Sequence, residues 1–258
     1  MNCNVMKIIS SRQNPEIIAF AKLKHKKHRD QQQQFYAEGL RTCATLVQSG
    51  LKPIMLYVTQ HGYQQIHNHL KQHVPMTLIT QPVMEKLSDA QQPSGIIGIF
   101  EQPKKPVSLA SIQSGIVLVH VSDPGNMGTL IRSCAAFGAR SVIVIKGADA
   151  WSPKVMQASA GTHGYVDIIA TDWQTLIQKK PNNVDLIALV PDNGIPLHTY
   201  ATSQQHQLLV IGNEAHGIPE SWIDQCQQRI TIAMPGTIES LNAAVAGSIA
   251  LYQLFGAQ

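Results

Sequence analysis

The sequence predicts an α/β protein in which a small α/β domain precedes a larger domain built on a parallel sheet. Short apolar runs alternate with helical stretches along most of the chain, which is typical of strands connected by helices. In the second half the apolar runs lack polar alternation, as in strands that are buried on both faces. Between the two regions, residues 101–108 contain two prolines and two lysines, which favours a stiff polar linker.

These observations divide the chain into four segments. We expect a basic N-terminal helix and hinge at 1–34, a small domain at 35–100, a linker at 101–110 and the large domain at 111–258.

The first segment has the signature of a helix with a basic end. Asn14, Pro15 and Glu16 supply a side-chain cap, a proline at the first helical position and an acid in the first turn. The helix would end in the cluster at 24–29, where cations suit the negative end of the helix dipole. The four glutamines at 31–34 then predict a polar hinge.

Both domains show the alternation expected of strands and helices. In the small domain it predicts strands at 35–38, 54–58, 76–79 and 95–100 and helices at 40–48, 61–73 and 82–87. In the large domain it predicts strands at 116–121, 142–145, 186–190, 208–211 and 230–234 and a last helix at 243–255. Open parallel sheets bind ligands beyond the carboxyl ends of their strands, so the loops at those ends are the candidate site.

The charge of the chain is concentrated near its start. Seven lysines and arginines accompany two acidic residues in positions 1–30, so this segment carries a net charge of +5 and the remainder carries −1. Localised basicity indicates a polyanionic partner, although a solvated helix face would have the same composition. The candidate phosphate ligands are Arg12, Lys24, Lys26, Lys27, Arg29 and Arg41.

Composition argues against several other classes of protein. The four cysteines are scattered without a C-x-x-C pair, which predicts reduced thiols in the cytoplasm. No apolar run approaches the roughly 20 residues that span a bilayer, and there is no signal peptide. The histidines between His61 and His73 lack acidic or cysteine neighbours. We therefore expect a cytoplasmic protein without a membrane segment and without a bound metal.

Three loops that follow strands of the large domain collect glycines and polar residues. They span 123–132, 212–217 and 234–242. Any one of them has an ordinary explanation, such as Asn126 or Ser240 capping a helix. Three at equivalent strand ends are better explained by one shared site. The sequence contains neither G-x-x-x-x-G-K-[ST] nor G-x-G-x-x-G after the first strand of the large domain, which weakens an ATPase or a dinucleotide-dependent dehydrogenase.

The order and spacing of these residues resemble the three motifs of the SpoU family, the TrmH-like RNA ribose 2′-O-methyltransferases of the SPOUT superfamily. The motifs are Asn126-x-Gly128-x-x-x-Arg132, Gly212-x-Glu214-x-x-Gly217 and Ile232-x-Met234-x-Gly236-x-x-x-Ser240-Leu241-Asn242. The N-terminal region is also similar to the substrate-binding domain of that family at positions 10–15, 37–39 and 93–96. The resemblance implies a deep trefoil knot in the C-terminal parallel-sheet domain and RNA binding by the small domain.

The resemblance also implies a reaction and its residues. The enzyme would use S-adenosylmethionine to methylate a ribose 2′-hydroxyl in structured RNA. By resemblance, the cofactor residues are Gly212, Asn213, Glu214, Ile232, Met234, Ser240, Leu241 and Ala243, and the catalytic residues are Arg132, Asn126, Glu214, Ser240 and Asn242. The family assigns deprotonation of the hydroxyl to the arginine matching Arg132. Because a guanidinium with a pKa above about 12 is a poor base, we expect Arg132 mainly to stabilise the developing alkoxide.

Family members form homodimers in which each active site borrows from the partner chain, so the resemblance implies a homodimer with a contribution from the apolar helix at 243–255. The two-domain layout favours ribosomal RNA over transfer RNA as substrate. Two other interpretations stay open: an RNA-binding protein with a vestigial methyltransferase site, and a nucleotide-binding α/β enzyme of unrelated chemistry.

Overall fold

The computed structural model describes residues 7–66, 74–103, 108–201, 205–213, 215–236 and 240–256. The contacts within the chain separate it into two compact units. The first unit contains residues 1–105 and 151–164, and the second contains residues 106–150 and 165–258. The chain therefore passes from one unit to the other three times.

The first unit is built on a five-stranded mixed sheet with the order β1-β4-β3-β5-β2, in which β5 runs antiparallel to both of its neighbours. Its strands and helices up to residue 101 are β1 Ile8–Ile9, α1 Pro15–Ala21, α2 Lys26–Gln32, β2 Gln34–Glu38, α3 Leu40–Gln48, β3 Pro53–Val58, α4 Gln60–Gln65, β4 Met76–Ile79, α5 Gln81–Leu87 and β5 Ile96–Glu101. The strands predicted for this region are confirmed within one residue at each end. The helix predicted at 61–73 is confirmed only at its start, because α4 ends at Gln65 and Ile66 has extended backbone angles. Residues 67–73 lie outside the described part of the chain.

Both faces of this sheet are covered. Alternate residues of a strand point to opposite faces, so Phe35 and Tyr36 of β2 belong to different core clusters. Tyr36 packs in the cluster that contains Phe20 of α1 and Met84 of α5. Phe35 packs in the cluster that contains Leu46 of α3.

The basic N-terminal region differs from the prediction. Asn14 caps α1 as expected, since its side chain accepts a hydrogen bond from the backbone N–H of Glu16. The single helix predicted through 24–29 is broken, because His25 has extended backbone angles and separates a short 3₁₀ turn from α2. The hinge predicted at 31–34 is wrong: α2 continues to Gln32, and β2 begins at Gln34 after one left-handed residue.

The second unit is built on a seven-stranded sheet with the order β10-β12-β9-β11-β6-β7-β8, and every strand pair in it is parallel. From residue 106 onwards the strands and helices are β6 Gly115–Val119, α6 Pro124–Ala136, β7 Ser141–Ile145, α7 Pro153–Ala158, β8 Asp167–Ala170, α8 Trp173–Lys179, β9 Val184–Leu189, β10 Ile195–Pro196, β11 His206–Ile211, α9 Glu220–Ile223, β12 Gln228–Thr231 and α10 Ala243–Leu251. All five residues of β6 and of β7 are buried. The predicted parallel sheet is therefore confirmed, and the trefoil knot stays a prediction.

Helix α10 lies close to α6 and β11. A Cβ added at Gly247 would lie 2.5 Å from the side chain of Leu130 of α6 and 2.7 Å from the side chain of Ile211 of β11, so a larger residue would require these side chains to shift. The hydroxyl groups of Ser133 and Ser248 are 2.8 Å apart across the same two helices. These contacts place the middle of α10 beside α6 and the carboxyl end of β11.

The segment 151–164 belongs to the first unit although it lies between β7 and β8 in sequence. The ring of Trp151 lies 4.9 Å from that of Phe35, and Met156 of α7 is buried in the same cluster. A Cβ at Gly161 would lie 2.6 Å from the carbonyl oxygen of Thr42. The predicted domain 111–258 included this segment in the second unit, and the observed packing groups it with the first.

Candidate active site

The second unit contains a cavity of about 500 Å³ at the carboxyl ends of β9, β11 and β12. Its walls are mostly apolar, and polar groups are few. This size and lining are typical of small-molecule sites. The apolar lining includes Leu189, Val190, Ile211, Ile218, Ile223, Ile232, Met234, Leu241, Ala243 and Ala246. The polar lining includes Asp192, Asn193, Asn213, His216, Glu220, Arg229 and Ser240.

The structure brings most of the predicted cofactor residues together around this cavity. Seven of the eight line it: Gly212, Asn213, Ile232, Met234, Ser240, Leu241 and Ala243. The eighth, Glu214, lies outside the described residues. Strand β12 ends at Thr231 instead of the predicted Met234, so Ile232 and Met234 are free to form a loop against the cavity.

The loop after β11 is closed by its own hydrogen bonds. The side chain of Asn213 donates to the carbonyl of His120 at 3.0 Å and accepts from the backbone N–H of Ala215 at 2.8 Å. The backbone N–H of Gly217 donates to the carbonyl of Asn213 at 2.8 Å. A Cβ at Gly212 would lie 2.3 Å from the backbone of Gly217, so position 212 requires glycine.

Asn242 and Asn126 are joined across the first turns of two helices. The side-chain oxygen of Asn242 accepts hydrogen bonds from the backbone N–H groups of Ala244 and Val245 and so caps α10. Its side-chain amide donates to the side-chain oxygen of Asn126 at 3.0 Å. Asn126 is not itself the cap of α6, because Asp123 has that role and accepts from the backbone N–H of Asn126 at 2.7 Å.

Arg132 lies apart from the cavity within this chain. It is exposed on α6, six residues beyond Asn126, and neither residue lines the cavity. Ser240 lines the cavity, and Asn242 follows it closely in sequence. The predicted catalytic residues are therefore divided between the rim of the cavity and the exposed face of α6.

An exposed apolar row runs along α10 from its start. Its members recur at intervals of three or four residues, which places them on one side of the helix. They are Leu241, Val245, Ile249 and Tyr252, with exposed fractions between 37% and 54%. The opposite side of α10 is buried, and a helix that is apolar on all sides is expected to be covered.

Sequence reasoning missed several charged residues of the cavity. Arg229 of β12 pairs with Glu220 at 3.1 Å and with Asp224 at 2.6 Å. Asp192 lies three residues beyond the end of β9 and also lines the cavity. The position of Asp192 just after a strand could have indicated a site residue. The loop around it, however, lacks the motif glycines of the loops at 212–217 and 234–242.

The predicted phosphate ligand Arg29 is a wrong assignment. Its side chain is buried, with the residue 3% exposed. The guanidinium donates to the carbonyl oxygens of Leu23 and Lys24 at 2.7 and 2.8 Å. Arg29 therefore holds the turn before α2 in place and presents no surface to RNA.

The other predicted phosphate ligands differ in how exposed they are and in whether they form an ion pair. Lys24 is half-buried and pairs with Asp89 at 2.7 Å, and Arg12 pairs with Glu85 at 3.3 Å. Lys26 makes an exposed ion pair with Asp30, which contributes little energy and is easily exchanged for a phosphate. Lys27 and Arg41 are exposed.

Across the described ranges, no three histidine, cysteine, aspartate or glutamate side chains come close enough to hold a metal ion. No helix in the same ranges is both long enough and apolar enough to span a bilayer.

Comparison with known protein families shows which family the chain belongs to. Residues 113–252 match the sequence model of the SpoU rRNA Methylase family, which is more than half of the chain. The protein belongs to the SpoU rRNA methylase family. Residues 14–98 match the MRM3-like substrate binding domain. The resemblance inferred from the three motifs is thus confirmed, and the first unit of this SpoU member contains a substrate-binding domain.

Individual relatives match over nearly the whole chain. The 23S rRNA (guanosine(2553)-2′-O)-methyltransferase RlmP of Bacillus subtilis is 27% identical over 255 residues, covering 97% of this chain and 100% of the relative. Human mitochondrial rRNA methyltransferase 3 is 25% identical, covering 90% and 69%. The crystal structure of an AdoMet-bound rRNA methyltransferase from Sinorhizobium meliloti superposes with a TM-score of 0.83 at 26% identity, covering 96% of this chain and 97% of that chain. The observed fold is therefore that of the SPOUT methyltransferases.

Proposed function

We propose that this SpoU member transfers a methyl group from S-adenosylmethionine to a ribose 2′-hydroxyl of ribosomal RNA. The observation that carries the proposal is the cavity at the ends of β9, β11 and β12, which seven predicted cofactor residues line. The names of the relatives support it, since they specify rRNA and 2′-O methylation, and the S. meliloti structure is described as AdoMet-bound.

The residues of the cavity fit S-adenosylmethionine. Its volume of about 500 Å³ lies in the range of sites for ligands of this size. The side chains of Ile232, Leu241 and Ala246 provide apolar walls for a purine ring and a methylene chain. Gly212 and Gly217 line the cavity without side chains, so their peptide groups can serve as hydrogen-bonding partners there.

The roles of the chain's own residues follow from chemistry. When bound, S-adenosylmethionine supplies a methyl group that is open to attack by the ribose oxygen. As the ribose oxygen forms its bond to the methyl carbon, the bond from that carbon to sulfur would break with its electron pair staying on sulfur, and the hydroxyl proton would pass to solvent water. The guanidinium of Arg132 stays protonated and donates hydrogen bonds to the oxygen as negative charge develops. Asn242, fixed by its bond to Asn126, orients the groups at the rim of the cavity.

The working form in this proposal is a homodimer. Arg132 does not line the cavity of its own chain, so a complete site needs another source of this side chain. The apolar row Leu241, Val245, Ile249 and Tyr252 begins at the cavity and provides a surface for a second copy. Burying such a row is favourable at roughly 25 cal/mol per Å² of apolar surface. Each cavity would then receive Arg132 from the partner chain.

The first unit would bind the RNA. Its match to a substrate-binding domain and its exposed Lys26, Lys27 and Arg41 support this role. The relatives named above act on ribosomal RNA, which favours that substrate over transfer RNA. The cytoplasm, where reduced thiols persist, is the proposed location.

The test is transfer of labelled methyl groups to total RNA from cells that lack this protein, followed by digestion to nucleosides. We expect one 2′-O-methylated nucleoside with the wild type and none with Arg132→Ala. Arg140→Ala is the matched control, because Arg140 is an exposed arginine outside the cavity of the same unit. A methylated base instead of a methylated ribose would refute the proposal. Full activity of Arg132→Ala would refute the role of Arg132.

A further inference from the structure

Asp192 places a carboxylate on the wall of the cavity. It lies three residues beyond the end of β9, lines the cavity and is exposed. The loop is held in place by Thr231, whose hydroxyl donates to the carbonyl of Pro191 at 2.8 Å. Asn193 takes a left-handed conformation with a φ of +55°. The loop is thus fixed by backbone geometry and by its tie to β12.

Asp192 differs from the other acid of the described lining in its electrostatic environment. Glu220 is neutralised by Arg229, which lies 3.1 Å away. Asp192 accepts a hydrogen bond from the side-chain amide of Asn193 at 3.2 Å, and no lysine or arginine of the described ranges pairs with it. Its carboxylate therefore keeps the capacity to accept further hydrogen bonds from a ligand.

The sheet order fixes which end of a bound cofactor would meet Asp192. Strand β11 lies between β6 and β9. The loop after β6 leads to Asn126, which is bonded to Asn242. Because Asn242 orients the reacting groups in the proposed mechanism, the reacting end of the cofactor would lie on the β6 side. The nucleoside end would then extend over β9 and β12. Asp192 is the carboxylate at the end of β9.

We propose that Asp192 binds the ribose hydroxyl groups of the cofactor and thereby selects a ribonucleoside. A carboxylate accepts hydrogen bonds through both oxygens, which suits the two neighbouring hydroxyls of a ribose, and charge-assisted bonds of this kind are strong. Acidic side chains that follow strands of nucleotide-binding α/β sheets use the same chemistry. The amide of Asn213 is already engaged by His120 and Ala215. This inference rests on the proposed use of S-adenosylmethionine.

The test measures binding alone, by calorimetry on the full-length protein without RNA. The ligands are S-adenosylhomocysteine and its 2′,3′-dideoxy analogue, and the proteins are the wild type and Asp192→Asn. We expect Asp192→Asn to weaken S-adenosylhomocysteine binding about tenfold or more. We expect both proteins to bind the dideoxy analogue with similar affinity. Asp30→Asn is the control, since it removes the same charge from an exposed residue of the first unit that does not line the cavity.

Three results would overturn the proposal for Asp192. The first is an equal loss of affinity in both proteins when the hydroxyls are removed. The second is a loss in Asp192→Asn that is larger for S-adenosylmethionine than for S-adenosylhomocysteine, which would mean attraction of the sulfonium charge. The third is that Asp192→Asn binds the 6-deamino analogue as tightly as the wild type does, which would mean that Asp192 contacts the purine amino group instead of the ribose. If the wild type bound neither natural ligand, the proposed function itself would fail as well.

Discussion

The side-chain amide of Asn242 donates a hydrogen bond to the side-chain oxygen of Asn126 over 3.0 Å. This bond joins the first turn of α6 to the residue that caps α10. Two motifs separated by more than a hundred residues in sequence thus meet through one pair of amides, and the same asparagine carries both a structural and a positioning contact.

The two roles of Asn242 can be separated by substitution. Asp is as good a cap as Asn but cannot donate to Asn126, so Asn242→Asp should keep the stability of α10 and lose most methyl transfer. Asn242→Ala removes both contacts and should also lower the free energy of unfolding by about 1 kcal/mol. Urea unfolding and a methyl-transfer assay on both variants measure the two effects. Wild-type activity of Asn242→Asp would contradict a positioning role.

Sharing of Arg132 between chains predicts complementation in mixed dimers. Arg132→Ala lacks the guanidinium, and Ala246→Trp fills the cavity that Ala246 lines. Each homodimer should be inactive. Co-expression should restore about a quarter of the wild-type activity in the unfractionated mixture, because about half of the dimers are mixed and each of these has one complete site of two. Mixed dimers isolated through two affinity tags should have about half of the wild-type activity. A mixed preparation without activity would show that Arg132 acts within its own chain.

The packing of the segment 151–164 on α3 can be tested with two glycines of the first unit. Gly161 has a φ of +79°, and a Cβ there would lie 2.6 Å from the carbonyl oxygen of Thr42. Gly50 has a φ of +87°, and a Cβ there meets nothing within 4 Å. Both alanine variants share the backbone strain, so their difference reports the steric contact alone.

We expect Gly161→Ala to destabilise the first unit by about 1–3 kcal/mol more than Gly50→Ala does. Native-state hydrogen exchange in β5 and α3 measures this difference. Equal protection of these amides in the two variants would show that the segment 151–164 is not part of the cooperative core.

The sequence predicted nine of the twelve strands in the described ranges, because buried apolar runs such as 208–211 have a local signature. It missed β1, β8 and β10, which are short and largely unburied. It overextended β12 to residue 234 because Ile232 and Met234 are apolar for a different reason: they line the cavity and do not belong to the sheet. Apolar residues that face a ligand and apolar residues that face the core produce the same pattern in the sequence. The cavity residues were found by motif resemblance instead.

Other errors have a tertiary origin. A count of charges cannot show that Arg29 is buried beneath the carbonyl groups of Leu23 and Lys24. Local pattern likewise cannot show that the segment 151–164 packs on β2 and α3, because its contacts join residues more than a hundred positions apart. Asp192 was missed because a single exposed acid carries no periodic signal.

RNA binding by the first unit should depend on its exposed cations. Lys27→Ala and Arg41→Ala should each weaken binding and reduce the slope of log affinity against log salt by about 1, as expected for loss of one phosphate contact. Filter binding of a ribosomal RNA fragment at several salt concentrations measures both quantities. Lys52→Ala, another exposed cation of this unit, is the control, and an equal effect there would mean diffuse attraction instead of a defined patch.

The carboxylate of Asp89 predicts an acid-sensitive contribution to the first unit. Partial burial raises the pKa of Asp89, but hydrogen bonds from Lys24 at 2.7 Å and Tyr36 at 2.6 Å outweigh it, and the pKa lies below its ordinary value. A carboxyl whose pKa is lowered by folding stabilises the protein above its unfolded pKa of about 3.9. This contribution is lost as the pH falls through the lower, folded value.

We expect the wild type to have a larger free energy of unfolding than Asp89→Asn. This difference, the stability gap, should be largest near neutral pH and should shrink below about pH 4. Hydrogen exchange of the first unit at a series of pH values, corrected for intrinsic rates, measures the gap. Asp30→Asn removes a carboxylate whose ion pair with Lys26 is solvent-exposed, and its gap should be small throughout. A gap for Asp89→Asn that stayed constant down to pH 2 would show that its ionisation is not coupled to folding, because protonation would then leave the contacts with Lys24 and Tyr36 energetically unchanged.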